Sequence, residues 1–423
     1  MDILSAHFVP GHSAFYYDDQ AAIRAGATHN GFSYDGAPVT PGFKAIRQPG
    51  ETISVLLELA DGQWAAGDCC AVQYSGAGGR YPLFTAEHYL DVLRNDVAAF
   101  LEGRDARDFT SNVRALDEVT VDEAPLHTAI RYGVSQALLD AAACAHRCTK
   151  TEVICRAYDL ALPSEPVALI GQSGDDRYTA VDKMLLRRVD ALPHALINNV
   201  DTKLGHRGER LLEYVTWLRQ RMDEVRALTQ APDTYRPVMH IDVYGTVGVI
   251  FDNDPVKVAD YLCRLADAAG HYTLYLEGPV DTGGKAPQIA CLAEITRRAG
   301  DHSDRLRIVA DEWCNTREDI VDFVDARCCH MAQIKTPDLG SLHNVVEAVL
   351  YCRANDVEAY QGGSCNETDI AARCCTQVAL ACRPDRLLVK PGMGFDEGMQ
   401  IVSGEMRRTL TRLNAATGRA SSP

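Results

Sequence analysis

No stretch of this chain approaches the roughly 18 uninterrupted apolar residues of a membrane-spanning helix; even Ile241 to Phe251 carries Asp242 and two glycines. The opening Met1-Asp2-Ile3-Leu4-Ser5-Ala6-His7 lacks the basic and apolar regions of a secretory signal, so a cytoplasmic protein with no membrane partner is expected. Excess basic charge is also missing: 42 Lys and Arg against 58 Asp and Glu leave a formal charge of −16, which disfavours a nucleic-acid partner. No Gly-x-Gly-x-x-Gly follows an apparent strand, which weakens any dinucleotide-binding reading. Among the 15 cysteines there is no Cys-x-x-Cys. An odd number with adjacent pairs at 69–70, 328–329 and 374–375 suits neither a disulfide scaffold nor a zinc site and indicates reduced thiols. Low complexity is confined to the tail Ala420-Ser421-Ser422-Pro423.

What is present is an ordinary globular composition, 46% hydrophobic and 24% charged, on 423 residues, enough for two domains or one large barrel with an appendage. Residues 1–160 have an α+β outline. Thr52 to Leu59 forms a strand, Asp61-Gly62 a turn, and Trp64 to Gly67 resumes the strand. Helical patterns run from after Thr85 to Phe100 and from about His127 to His146. Two prolines and a serine in Ala161 to Pro166 mark a linker. From Val167 short apolar strands alternate with amphipathic helices. One unit shows the rhythm: strand Val238 to Asp242, a loop, Asp254 as N-cap with Pro255 behind it, then Val258, Tyr261, Leu262 and Leu265 on one helix face and Gly270 after its end. Further strands are Tyr272 to Glu277, Leu306 to Asp311, Met331 to Lys335 and Val357 to Gln361. The fold class is therefore α/β. A parallel (β/α) barrel over residues 161–423, with a C-terminal helical tail, is favoured over a doubly wound open sheet.

Three of these strands end in an acid: Asp242, Glu277 and Asp311, at steps of 35 and 34 residues, about one strand-helix unit each. Any one of them could simply cap the following helix or open a polar loop. Three in register on a barrel would ring one mouth, the end where catalysis is found in such folds. Alternation puts His240 with Asp242, Tyr275 with Glu277, Val309 with Asp311 and Gln333 with Lys335 on common faces. Three hard oxygen ligands suit Mg²⁺. An ammonium beside a bound dication loses part of its advantage over the neutral amine, so Lys335 is a candidate base. The matching substrate is a metal-bound carboxylate whose α-proton is removed to an enediolate.

At these residues the chain resembles the methylaspartate ammonia-lyases of the enolase superfamily. The blocks that carry the resemblance are Gly171 to Tyr178, Leu192 to Asn199, His240 to Gly245, Glu277 to Asp281, Ala310 to Asn315, Gln333 to Asp338, Tyr360 to Gly363 and Lys390 to Gly398. They span the barrel half, and a thinner likeness covers residues 1–160 and includes Gln73. The resemblance implies an enolase-type barrel with an N-terminal α+β capping domain. It implies Mg²⁺-dependent, reversible elimination of ammonia from (2S,3S)-3-methylaspartate to give mesaconate. Asp242, Glu277 and Asp311 would bind Mg²⁺, Lys335 would remove the C3 proton, and His194 would face it across the substrate and serve the opposite C3 epimer. Gln73, Gln172, His194, Gln333, Ser364 and Cys365 would contact the substrate. A homodimer, an amino-acid substrate and assistance by K⁺ are implied in the same way.

One position departs from the pattern: the family usually has Thr before the active-site Cys, and here it is Ser364, which keeps the hydroxyl but loses a methyl that restricts its rotamer. Asp338, Asp396 and Glu397 are expected to act in helix starts and loop hydrogen bonds. Gln333, two residues before Lys335, matches the ammonia-lyases; muconate-cycloisomerase-like and mandelate-racemase-like members commonly carry a Lys two residues before or after the catalytic one on this strand, or a His elsewhere. The competing readings are another enolase-superfamily lyase or racemase acting on a different carboxylate, and a non-catalytic barrel serving as a binding protein. Against the second, Asp242, Glu277, Asp311, Lys335 and His194 are all intact.

Overall fold

The computed structural model describes residues 1–418, so the tail Ala420 to Pro423 lies outside the described residues. The first layer is a three-stranded antiparallel sheet of β1 (Ile3–Asp18), β2 (Arg47–Leu59) and β3 (Trp64–Cys70), in that order. Alternation along β2 puts Ile53, Val55, Leu57 and Leu59 on one fully buried face. The strand starts five residues before the Thr52 expected from sequence, because pairing with the long β1 carries it back through Pro49 and Gly50. Helix α1 (Thr128–His146) packs on β3 and is buried over most of its length. The helical stretch after Thr85 runs from Ala86 to Leu101, with one π turn at Leu93–Val97. Ala161 to Pro166 carries no regular structure.

Eight strands then close a barrel: β4 (Leu169–Ile170), β5 (Ala191–Leu196), β6 (Val238–Asp242), β7 (Leu274–Glu277), β8 (Leu306–Ala310), β9 (Met331–Ile334), β10 (Glu358–Gln361) and β11 (Arg386–Leu388). Every neighbouring pair is parallel, and Leu387 and Leu388 of β11 pair with Leu169 and Ile170 of β4, which excludes the open sheet. Ile170, Ala191, Tyr275, Val309, Met331, Tyr360 and Leu388 form the inner core. Tyr275, Val309 and Met331 stand two or four residues before Glu277, Asp311 and Lys335, so these polar groups continue the inward face. Helix α2 (Pro255–Ala269) starts as expected, with Asp254 accepting from the N–H groups of Val256 and Lys257, and ends at Gly270. A final helix, α3 (Phe395–Thr417), closes the described chain.

Because all eight strands run the same way, their C-terminal ends meet at one mouth. Asp242 and Glu277 are the last residues of β6 and β7. Asp311 and Lys335 are the first residues past β8 and β9, which end one residue earlier than the strands read from sequence.

Candidate active site

The ligand oxygens of Asp242, Glu277 and Asp311 lie within 4.8 Å of one another, and all three residues are buried. Burial drives the Asp242 carboxyl well above the usual carboxylate range, and the negative charges of Glu277 and Asp311 add to the effect. Glu277 is divided. Its Oε2 faces two imidazoles, with His240 Nε2 at 2.6 Å and His194 Nε2 at 3.2 Å. Burial pushes this carboxyl up, but His194 and His240 outweigh it and hold it well below its usual value. Burial also lowers His240 to about 4, so the neutral imidazole donates its Nε2–H to Glu277. The second oxygen, Glu277 Oε1, is buried with no hydrogen-bond partner. Three converging hard oxygens, one of them an orphaned acceptor, fit a divalent cation such as Mg²⁺. His194, His240 and Glu277 also come within 4.8 Å of one another, but their shared oxygen already carries the His240 hydrogen bond.

Lys335 Nζ lies 2.7 Å from Asp311 Oδ1. In barrel order His194 is on β5 and Lys335 follows β9, four strands apart out of eight, so the two face each other across the mouth with the three acids on the strands between. His194 reaches the mouth through a β-bulge. Pro193 pairs with His240 and Ala195 with Ile241, which leaves His194 unpaired, with φ at +45° in the left-handed region that non-glycine residues seldom occupy. Its Nδ1 is buried without a hydrogen-bond partner, while Nε2 is engaged by Glu277 Oε2 at 3.2 Å. A strained residue with a buried nitrogen left unpaired at the cavity wall is the kind of feature that clusters at functional sites.

One cavity is lined by Gln73, Gln172, His194, Asp242, Gln333, Lys335, Ser364 and Cys365, so the side chains named from sequence come together, with Glu277 and Asp311 joined to them through the acid cluster. Gln73 comes from the N-terminal layer, which therefore covers the mouth. Ser364 donates its backbone N–H to Glu367 Oε2 at 2.7 Å, and its Oγ accepts from the Asn366 N–H at 3.2 Å. Asp338 accepts from Arg80, while Asp396 and Glu397 sit in the first turn of α3 and Asp396 pairs with Lys183.

Several residues at the site went unnoticed in the sequence. Arg80 spans Asp311 Oδ1 and Asp338 Oδ2, both at 3.0 Å, and is buried. Nothing local signals it, since its partners lie 231 and 258 residues away. Glu312, pushed up to about 8 by burial and by Asp311, has its Oε2 buried without a partner; its position beside Asp311 was a usable signal. Tyr74, Tyr244, Tyr360 and Leu388 also line the cavity.

The fold and site together define a class. A closed eight-stranded parallel barrel, acids at three successive strand ends and a separate N-terminal domain over the mouth make up the fold of the enolase superfamily. Muconate lactonizing enzyme from Pseudomonas putida shares the fold at a TM-score of 0.61 and 16% identity, covering 90% of this chain and 86% of that one. The chain belongs to the methylaspartate ammonia-lyase family and is thus a carbon–nitrogen lyase: family models described as methylaspartate ammonia-lyase N-terminus and C-terminus match residues 1–159 and 161–415. It is 57% identical over 413 residues to methylaspartate ammonia-lyase of Citrobacter amalonaticus, covering 98% of this chain and 99% of the relative. It is 49% identical over 410 residues to that of Clostridium tetanomorphum, covering 97% and 98%. The Citrobacter enzyme solved with (2S,3S)-3-methylaspartic acid superposes with a TM-score of 0.94 over 98% of this chain and 100% of that one, at 57% identity. The Clostridium β-methylaspartase Mg complex gives 0.91, at 48% identity and with the same coverage. Among the described residues no helix is long and apolar enough to cross a membrane.

Proposed function

We propose that this enzyme eliminates ammonia reversibly from (2S,3S)-3-methylaspartate to give mesaconate, with Mg²⁺ held by Asp242, Glu277 and Asp311. When bound, the cation supplies a Lewis acid that draws off the negative charge developing on the carboxylate next to C3. Lys335 takes the C3 proton. The electron pair of that C–H bond becomes the C2–C3 double bond, and the C2–N bond breaks with its electrons leaving on ammonia. His194, on the opposite wall, takes the same proton from the opposite C3 epimer. Gln172, Gln333, Ser364 and Cys365 orient the carboxylates and Gln73 the amino group, so the reacting bonds stay aligned.

The observation that carries the reading is the placement of Lys335 and His194 on opposing strands with three acids between them. Such an arrangement gives a proton acceptor to either face of a carbon next to a metal-bound carboxylate. The proposal takes residues 1–160 as the capping domain and 161–423 as the barrel with its tail, and extends to a cytoplasmic homodimer activated by K⁺. The test is ultraviolet absorbance. Purified protein, Mg²⁺ and (2S,3S)-3-methylaspartate should develop the absorbance of a conjugated dicarboxylate. A folded protein that gives none, but turns over another acid in a small panel of amino and hydroxy acids, would replace this reading with that of a different superfamily lyase or racemase.

A further inference from the structure

Asp18 ends β1 and Gln73 lies just beyond β3, and the two are joined twice. The Asp18 backbone N–H donates to the Gln73 carbonyl at 3.0 Å, and Gln73 Nε2–H donates to Asp18 Oδ2 at 2.7 Å. Asp18 is gripped in turn by a two-point fork from Arg47, Nε to Oδ1 and Nη2 to Oδ2, each 2.7 Å. Arg47 is itself fixed, donating to the Phe32 carbonyl at 2.8 Å and lying over the Phe32 and Tyr34 rings at 4.5 and 5.0 Å. The Arg47 and Asp18 side chains are 7% and 1% exposed, so water does not compete for these bonds.

A carboxylate offers only acceptors, so the Gln73 amide can meet Asp18 only through its nitrogen. Turning the amide over would set two oxygens against each other and leave a buried donor and acceptor unpaired. Gln73 Oε1 is thereby held on the cavity side, where the Cys365 S–H donates to it at 3.3 Å. Burial raises the Cys365 thiol, which keeps its proton and acts as a donor. On a 3-methylaspartate the carboxylates are acceptors, and only the amino group brings N–H donors to an oxygen so placed. We infer that Asp18, locked by Arg47, is a positioning residue that sets the polarity of the Gln73 amide, so that its oxygen receives the amino group of the substrate, or of free ammonia in the reverse addition. This inference rests on the ammonia-lyase reading above.

The addition direction tests it, because ammonia and mesaconate are then varied separately. Asp18→Asn lets the Gln73 amide turn over, and KM for ammonia should rise about 10- to 100-fold while KM for mesaconate changes less than about 2-fold, the scale of one charge-assisted hydrogen bond. Gln73→Glu alone sets two carboxylates face to face and should be at least as poor. Combined with Asp18→Asn it restores a donor-to-acceptor contact and an oxygen toward the cavity, so the double variant should bind ammonia better than either single one. Equal rises in both KM values, or a double variant no better than the worse single one, would overturn the inference by reducing Asp18 to a structural role. If Asp18→Asn does not fold, Arg47→Lys, which keeps the charge but not the fork, should raise KM for ammonia alone by a few-fold, and an unchanged value would equally overturn it. An unaltered, folded protein inert toward ammonia and mesaconate would overturn the ammonia-lyase reading itself, and the inference with it.

Discussion

His194 owes its direction to one extra residue in a strand. The bulge between Pro193 and Ala195, with φ at +45°, re-aims a side chain that regular pairing would have placed elsewhere, and only the register with β6 creates it. In sequence, His194 was one histidine among 13, and the family resemblance alone singled it out. Lys335 is the opposite case, since strand parity puts it on the inner face without any knowledge of its neighbours. Lys335→Ala should lower turnover of the (2S,3S) substrate by at least about 100-fold, the scale of a general base, while calorimetric titration still detects Mg²⁺ binding. His194→Ala should instead remove turnover of the opposite C3 epimer. A near-normal (2S,3S) rate in Lys335→Ala would take the base role from that residue.

The elements were legible where local chemistry fixes them. Asp254 and Pro255 start α2 and Gly270 ends it, as capping preferences dictate. Helix α1 is less ordinary, because its N-cap is His127, whose Nδ1 accepts from the Ala129 N–H while Nε2 bonds to the Pro82 carbonyl. Burial lowers His127 to about 4, so it folds as the neutral imidazole. Below its unfolded value near 6.5 the unfolded chain binds a proton that the folded chain refuses, so this contribution is complete above pH 6.5 and lost as pH falls toward 4. The loss approaches about 3 kcal/mol. Melting followed by circular dichroism should show a fall over that window, and His127→Asn, which keeps a capping acceptor without the titration, should make it shallower, the buried His240 retaining its own share. The same helix meets β3 through glycine. A Cβ on Gly133 would lie 2.3 Å from Cys69 N, and one on Gly67 would lie 2.2 Å from Gly133 O. Gly133→Ala should therefore cost about 2 kcal/mol or more, read as a lower denaturant midpoint, although alanine is the better helix former. The pattern of α1 marked a helix but could not reveal this approach, which exists only once the sheet is beside it.

At the scale of the whole molecule, a net charge of −16 surrounds a site with three buried acids. Burial, with their mutual repulsion added to it, raises Asp242, so a bound dication should stabilise the folded chain as well as complete the site. Saturating Mg²⁺ should raise the melting temperature by several degrees, a chelator should reverse this and abolish activity, and Asp242→Asn should lose most of the shift. A melting temperature indifferent to Mg²⁺ would count against the proposed ligand set.

The alternation of strand and helix, the inward parity of Asp242, Glu277, Asp311 and Lys335, and the helix caps follow from the sequence alone, because each depends on residues a few positions apart or on one repeating unit. Closure of the barrel was decided by pairing between Leu169–Ile170 and Leu387–Leu388, strands more than 200 residues apart that carry no mutual signal. The same holds for Arg80 on Asp311 and for Asp18 on Gln73, where a charge from the first 80 residues is matched to a polar group that only folding brings within 3 Å. Local chemistry selects the elements and which face turns inward. Long-range hydrogen bonds and ion pairs are set by three-dimensional complementarity, so the chain's linear order does not reveal which groups will hold the active side chains in place.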